Sequence, residues 1–271
     1  MREQIIAELH VKPTIDAKAE IERRVNLLVE YSTKSNTNGF VLGISGGADS
    51  TLAGKLAQLA VNRMNENGGQ HKQFIALRLP YREQLDEHYA QNALQFIAPS
   101  QTITFNIAQG VDALVESYQL ATGKAISDFH KGNIKARVRM LTQYAVAGEE
   151  NMLVIGTDHA AESVTGFFTK FGDGAADILP LSGLIKSQVR MLLHELGADK
   201  LLSEKPPTAD LLDHKPQQLD ETELGLSYEV IDKFLTGQSI PSEKEEAIIA
   251  RYKTSAHKRH LPVTIYDQWW R

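Results

Sequence analysis

The hexapeptide Ser45-Gly46-Gly47-Ala48-Asp49-Ser50 follows the apolar run Phe40-Val41-Leu42-Gly43-Ile44 and opens a stretch in which Leu52, Leu56, Leu59 and Ala60 recur at helical spacing. That order predicts strand, glycine-rich loop and helix, a junction at which loop amides and the free N–H groups of the first helical turn converge. The helix dipole favours negative charge at the same point, so the loop predicts a phosphate site. Adjacent glycines let the backbone approach phosphate oxygens, Ser45 and Ser50 supply hydroxyl donors, and Asp49 can hold a cation against the phosphates. The loop is not a Walker A motif, because no G-x-x-x-x-G-K-[ST] is present, and it is not a Rossmann fingerprint.

The rest of the chain alternates helical and strand-like patterns around this junction. Asp16 is placed to cap a helix with Ile21, Val25, Leu28 and Val29 on one face, ended by the polar run from Lys34 to Gly39. The helix after the loop runs to the break Asn67-Gly68-Gly69, and Phe74 to Leu79 is a short buried strand stopped by Pro80. Residues 83–97 read as a helix, Thr102 to Ile107 as a strand and 110–118 as a helix. Asp128 to Gly132 reads as a break before a helix from Asn133 to Ala147, and Met152 to Ile155 as a strand ending at Gly156-Thr157. Phe167 to Asp177 has no periodicity and suits a working loop. Lys186 to Leu196 is a helix stopped by Gly197, and the prolines after Ser203 predict a loop with Thr208 near its tip. The pattern predicts one α/β domain over 1–271: a doubly wound, mostly parallel sheet with helices on both faces. Helices at 220–236 and 242–256 make 220–271 a small C-terminal helical appendage. Ligands of such sheets bind beyond the carboxyl ends of the strands, which puts Ser45, Arg78 and Thr157 on one rim.

Composition narrows the chemistry. With 271 residues and 42% hydrophobic content the chain can bury a full core. A net charge of -5 gives no basic footprint for nucleic acid, and no 18-residue apolar stretch or export signal is present. The absence of cysteine rules out disulfides, thiolate metal sites and a thiolate nucleophile, so a cytoplasmic protein is expected. Asp158 and Glu162 stand four apart at a helix start in Gly156-Thr157-Asp158-His159-Ala160-Ala161-Glu162, and either could join Asp49 on magnesium. Lys186 could neutralise terminal phosphates. No spacing argument promotes it, Arg137 or the run His257-Lys258-Arg259 by itself.

S-G-G-x-D-S after a strand resembles the pyrophosphate loop of N-type ATP pyrophosphatases. With R-L-P-Y, F-x-K-G-N-x-K-A-R, G-T-D-H-A-A-E, T-G-F-F-T-K-F-G-D-G-A-A-D, P-T-A-D-L and A-H-K-R following in order, the chain resembles the ammonia-dependent NAD synthetases from end to end. The resemblance implies an adenine nucleotide alpha hydrolase-like fold. It also implies synthesis of NAD from nicotinic acid adenine dinucleotide, ATP and ammonia, with magnesium, by a homodimer whose dinucleotide site lies across the subunit interface. Carried over by position, it puts ATP on Gly43, Ile44, Ser45, Gly46, Gly47, Ala48, Asp49, Ser50, Thr157, Lys186 and Thr208, with Arg78 and Gln84 toward the adenosine. Asp49 and Glu162 would hold magnesium. The acid dinucleotide would meet Arg137, Lys170, Asp173, Asp177, His257 and Lys258, with Phe129, Tyr144 and a partner-chain Tyr31 as stacking groups. Asp173, Lys186 and Thr208 would act on the reacting atoms, Asp173 facing the carboxylate and ammonia.

Two departures stand out: Ala48 occupies a position where the family usually has Gln, and Arg82-Glu83 forms a turn where Gly is common. The implied chemistry is attack of the substrate carboxylate on the α-phosphorus of ATP, loss of pyrophosphate, then attack by ammonia with loss of AMP. Lack of a cysteine nucleophile predicts free ammonia as the nitrogen source. Two other readings remain open: another N-type ATP pyrophosphatase, such as a tRNA-modifying one, and a nucleotide-binding protein without turnover.

Overall fold

The most apolar short runs become strands: β1 (Gly39–Gly43), β2 (Gln73–Arg78), β3 (Gln101–Thr104) and β4 (Leu153–Val154). The structure, a computed structural model, describes residues 1–66, 71–209, 211–214 and 217–270. The four strands are parallel in the order β3-β2-β1-β4, with Phe40 opposite both Phe74 and Leu153. Because strand side chains alternate, Phe40, Leu42, Phe74, Ala76 and Leu153 enter one core, whereas Val41, Ile75, Leu77 and Val154 enter another. Both faces are therefore buried, as a parallel sheet requires.

The helices are α1 (Arg2–Glu8), α2 (Ala17–Lys34), α3 (Ala48–Glu66), α4 (Glu87–Ile97), α5 (Ala108–Thr122), α6 (Asp128–Glu150), α7 (Ala160–Thr165) and α8 (Lys186–Glu195), followed by α9 (Lys200–Ser203), α10 (Asp220–Leu224), α11 (Tyr228–Leu235), α12 (Ser242–Thr254) and α13 (Ala256–Arg259). The Asp16 carboxylate caps α2 by accepting from the Ala19 amide at 2.8 Å. Helices α2, α3, α4 and α8 cover one sheet face and α5 and α6 the other. A third core joins Ile5 of α1, Val164 of α7, Ile231 and Phe234 of α11 and Ile248 of α12, so the C-terminal helices rest on the element that follows β4.

Several sequence expectations change in detail. The helix expected over 83–97 starts at Glu87, leaving residues 83–86 outside it, with Gln84 accepting from Arg78 and Asp86 paired with Lys205. The expected break at Asp128 to Gly132 is instead the first turns of α6: Ser127 Oγ accepts from the His130 amide, and Gly132 serves close packing, since a Cβ there would stand 3.2 Å from Leu211 Cβ. Strand β3 is shorter than Thr102 to Ile107 and largely exposed, as an edge strand. The helix expected over 220–236 is split at Gly225, which takes φ +65°. Thr208 lies in a two-residue strand, β5 (Thr208–Ala209), antiparallel to β6 (Gln218–Leu219), not at a loop tip. The expected break Asn67-Gly68-Gly69 lies outside the described residues. Among the described residues no helix is long and apolar enough to cross a membrane.

Leu56 on α3 is fully buried in the largest core. Leu56→Ala is expected to lower stability by about 2–5 kcal/mol, measured by denaturant unfolding, through lost burial and an incompletely filled cavity.

Candidate active site

The chain leaves β1 toward β2 on one side and finds β4 on the other, so the loops after β1 and β4 diverge and leave a crevice between them. A cleft of about 530 Å³ lies there. Its wall includes Gly43, Ile44, Ser45, Gly47, Ala48, Asp49 and Ser50 from the first loop, Arg78 and Gln84 after β2, Thr157 and Glu162 after β4, and Lys186 and Thr208 farther on. Gly46 is the one residue of the loop that does not line it. Its φ of +83° and its packing on α4, where a Cβ would stand 2.5 Å from the Ala90 nitrogen, make it a backbone pivot. Ser50 Oγ and Thr51 Oγ1 both donate to the Gly47 carbonyl, at 3.2 and 2.7 Å, which fixes the turn into α3. Gln143 of α6 accepts from the Gly43 amide at 2.8 Å and steadies the strand end.

Charge is concentrated on the cleft floor. Lys186 Nζ donates to Asp49 Oδ2 at 2.6 Å, and His159 Nε2 lies 3.3 Å from Asp49 Oδ1 and 3.8 Å from Glu162 Oε1. Burial alone would raise the Asp49 carboxyl, but Lys186 and then His159 hold it well below the usual carboxylate range. Burial would likewise depress Lys186, yet Asp49 and Glu162 keep its ammonium above the ordinary lysine value. The remaining acids move the other way. Burial first, and then the negative Asp49 and Asp158, raise Glu162 well above its ordinary value, and burial, Asp173 and Asp49 push Asp158 up to about 7. Asp173 is raised by burial against the Thr169 amide, which donates to its Oδ1 at 2.9 Å. Asp220, pushed up to about 6 by burial against the pull of Lys186, keeps a buried Oδ1 without a hydrogen-bond partner.

A polar chain closes the side near β2. Arg78 donates to the Ile44 carbonyl, to Gln84 Oε1 at 2.6 Å and to Glu87, while Gln84 donates to Asp86 at 2.8 Å and Lys205 pairs with Asp86. The guanidinium of Arg78 is thus committed to protein groups, and Gln84 to both Arg78 and Asp86.

Of the residues expected to meet the acid dinucleotide, Phe129, Asp173 and Lys258 line the cleft. Lys258 donates to the Gly166 and Phe168 carbonyls at 2.9 and 2.8 Å, pinning the loop that carries Asp173. The others do not line the cleft but form two nearby groups. Arg137 donates to the Lys170 carbonyl and Lys170 to the His257 carbonyl, whereas Tyr144 donates to Asp177, whose other oxygen accepts from the Val154 amide. Tyr31 joins neither group; it is exposed near the end of α2.

Sequence reasoning misses His159, Lys205 and Asp220. The motif containing His159 is plain in the sequence, but nothing in it distinguishes a buried histidine behind two carboxylates from a helix-start residue. Lys205 reaches Asp86 across 119 positions, which no local pattern reports.

A family model described as NAD synthase matches residues 20–262. An "NH(3)-dependent NAD(+) synthetase" of Bacillus licheniformis is 59% identical over 271 residues, covering 100% of this chain and 99% of that protein. Among solved structures, NAD+ synthetase from Burkholderia pseudomallei is similar with TM-score 0.83 and 47% identity over 96% of each chain. NMN synthetase from Francisella tularensis is similar with TM-score 0.82 and 36% identity over 94% of this chain and 100% of that one.

The crowding of acids has a measurable cost in metal-free protein. Folded Asp158 keeps its proton up to about pH 7, whereas an unfolded aspartate releases it near about pH 4, so its contribution is present below pH 4 and lost as pH rises toward 7. Asp158→Asn is therefore expected to match the wild type near pH 4 and to exceed it by up to about 4 kcal/mol near pH 8 in thermal unfolding with chelator present.

Proposed function

Because this chain belongs to the NAD synthase family, we infer that it is an ATP-dependent ligase that amidates nicotinic acid adenine dinucleotide with ammonia to give NAD, AMP and pyrophosphate. The observation that carries the residue assignments is the single cleft in which the glycine-rich loop meets Asp49, Glu162, Asp173 and Lys186. The loop amides and Ser45 and Ser50 bind the ATP phosphates, with Thr157 and Thr208 across the cleft and Arg78 and Gln84 shaping the adenosine side.

Magnesium fits the donor set. Asp49 and Glu162 offer hard carboxylate oxygens in one cleft, and Lys186 faces several acids whose mutual repulsion a cation would relieve. Asp49 and Glu162 would hold it, and when bound it neutralises charge that develops on the leaving pyrophosphate. A substrate carboxylate oxygen attacks the α-phosphorus, the bond to the pyrophosphate oxygen breaks, and an acyl adenylate results. Lys186, held in the cleft against Asp49, supplies positive charge to the leaving group. Ammonia then attacks the activated carbonyl and AMP leaves with the bonding pair. Asp173, which lines the cleft, is placed to take the proton that the new amide nitrogen sheds.

The acid's second nucleotide is assigned to the groups outside the cleft: Arg137, Lys170 and His257, then Tyr144 and Asp177. A second copy of the chain supplying Tyr31 would complete that surface, so we propose a homodimer, one domain per chain, working in the cytoplasm. Exposed Leu27 and Tyr31 on α2 and Leu141 on α6 support such an interface. The Francisella relative raises the acid mononucleotide as a second substrate reading; the Bacillus relative, similar over the whole length, favours the dinucleotide.

Pyrophosphate release from ATP should require the acid dinucleotide, run at least about tenfold faster with it than with the acid mononucleotide, and fall about 100-fold or more in Asp49→Asn and in Glu162→Gln with the fold retained. Release without any acid substrate, or full activity in both variants, would overturn the assignment. Since only unprotonated ammonia attacks, the apparent KM for total ammonium should fall about tenfold per pH unit just above neutrality, and glutamine should not replace it. In sedimentation the active species should be a dimer, and an active monomer would remove Tyr31 from the site.

A further inference from the structure

We propose that His159 is a positioning residue that holds Asp49 from behind and thereby sets the affinity of the cleft for a divalent cation in the nucleotide complex. The proposal rests on the cation-site reading of Asp49 and Glu162 above. His159 is 1% exposed, and neither ring nitrogen has a hydrogen-bond partner. Its Nε2 stands 3.3 Å from Asp49 Oδ1, an oxygen that is itself buried and unpartnered, and 3.8 Å from Glu162 Oε1. Asp49, Glu162 and Lys186 line the cleft and His159 does not. Its ligand atom lies within 4.8 Å of those of Asp49 and Glu162, but His159 alone of the three does not line the cleft, which places the ring behind the carboxylates.

Its place is fixed by the backbone. The His159 carbonyl accepts from the amides of Glu162 and Ser163 at 3.1 and 3.0 Å, and the Ala160 amide donates to the Leu184 carbonyl at 2.8 Å. The two Asp49 oxygens are thus divided, Oδ2 to Lys186 at 2.6 Å and Oδ1 toward His159. Were the Lys186 ammonium to leave Asp49 for a phosphate or a cation, His159 would, among the described residues, be the side chain still beside the carboxylate that can keep its plane. A slight turn of the ring gives an Nε2–H donation to Oδ1. Groups that hydrogen-bond a metal's carboxylate ligands typically change metal affinity by about 10–100-fold when removed.

The test is Mn²⁺ binding in the presence of a non-hydrolysable ATP analogue, read from the free-ion EPR signal, for wild type, His159→Leu, His159→Gln and Asp49→Asn. The leucine removes the donor at similar volume, and the glutamine side-chain amide puts an N–H near the position of Nε2. Mn²⁺ affinity should fall about 10–100-fold in His159→Leu and stay within about threefold in His159→Gln. Analogue binding without metal should not change in either. Wild-type Mn²⁺ affinity in His159→Leu, or equal losses in the leucine and glutamine variants, would overturn the proposal while leaving the cation site standing if Asp49→Asn binds poorly. Undiminished binding in Asp49→Asn would remove the cation site itself and the proposal with it. His159→Ala replaces the leucine variant if that one does not fold.

Discussion

The ion pair between Lys186 and Asp49, 2.6 Å long, joins residues 137 positions apart and ties the loop after β1 to the start of α8. Neither end of it is loose. Asp49 sits in the first turn of α3, and the amides of Lys186 and Ser187 donate to Asp232 of α11 at 3.0 and 2.8 Å. The pair thus connects the sheet's glycine-rich loop, the helix that packs behind it and the C-terminal helices. Removing one partner of such a buried pair costs about 3–5 kcal/mol, because the other charge stays buried.

Around that pair the chain tolerates an arrangement that would be unfavourable in an ordinary core. Asp158, Glu162, Asp173 and Asp220 all stand above their ordinary pKa, each chiefly through burial. Orphaned buried oxygens and nitrogens on Asp49, His159 and Asp220 cluster in the same region. Local unfavourable electrostatics of this kind mark a place shaped for ligands rather than for folding stability.

Much of this arrangement is legible in the amino-acid sequence. Strand, loop and helix around Ser45-Gly46-Gly47, the parallel sheet and the pairing of the loops after β1 and β4 at one rim follow from periodicity and the switch-point rule, whereas Lys186 and Thr208, which also line the cleft, are named only through the resemblance. What stays hidden depends on contacts between distant segments. Gly132 reads as a helix break because its packing against Leu211 is invisible locally, and His159 reads as a helix-start residue because its closeness to Asp49 spans 110 positions. Helix boundaries shift where a side chain recruits the backbone, as at Ser127, and where side chains are engaged with one another, as Gln84 and Asp86 are before α4.

Helix α6 passes both ends of this arrangement. Gln143 props the Gly43 amide at the glycine-rich loop, Arg137 holds the Lys170 carbonyl, and Phe129 lines the cleft from the first turn of the helix. Because an α-helix rises about 1.5 Å per residue, Phe129 and Gln143 lie about 21 Å apart along one stiff rod. The spacing between the group that steadies the glycine-rich loop and the aromatic ring at the far wall is therefore metred by peptide geometry. An inserted residue in α6 between them would both lengthen that spacing by about 1.5 Å and rotate one end by about 100°, so the helix works as a gauge whose calibration is its residue count.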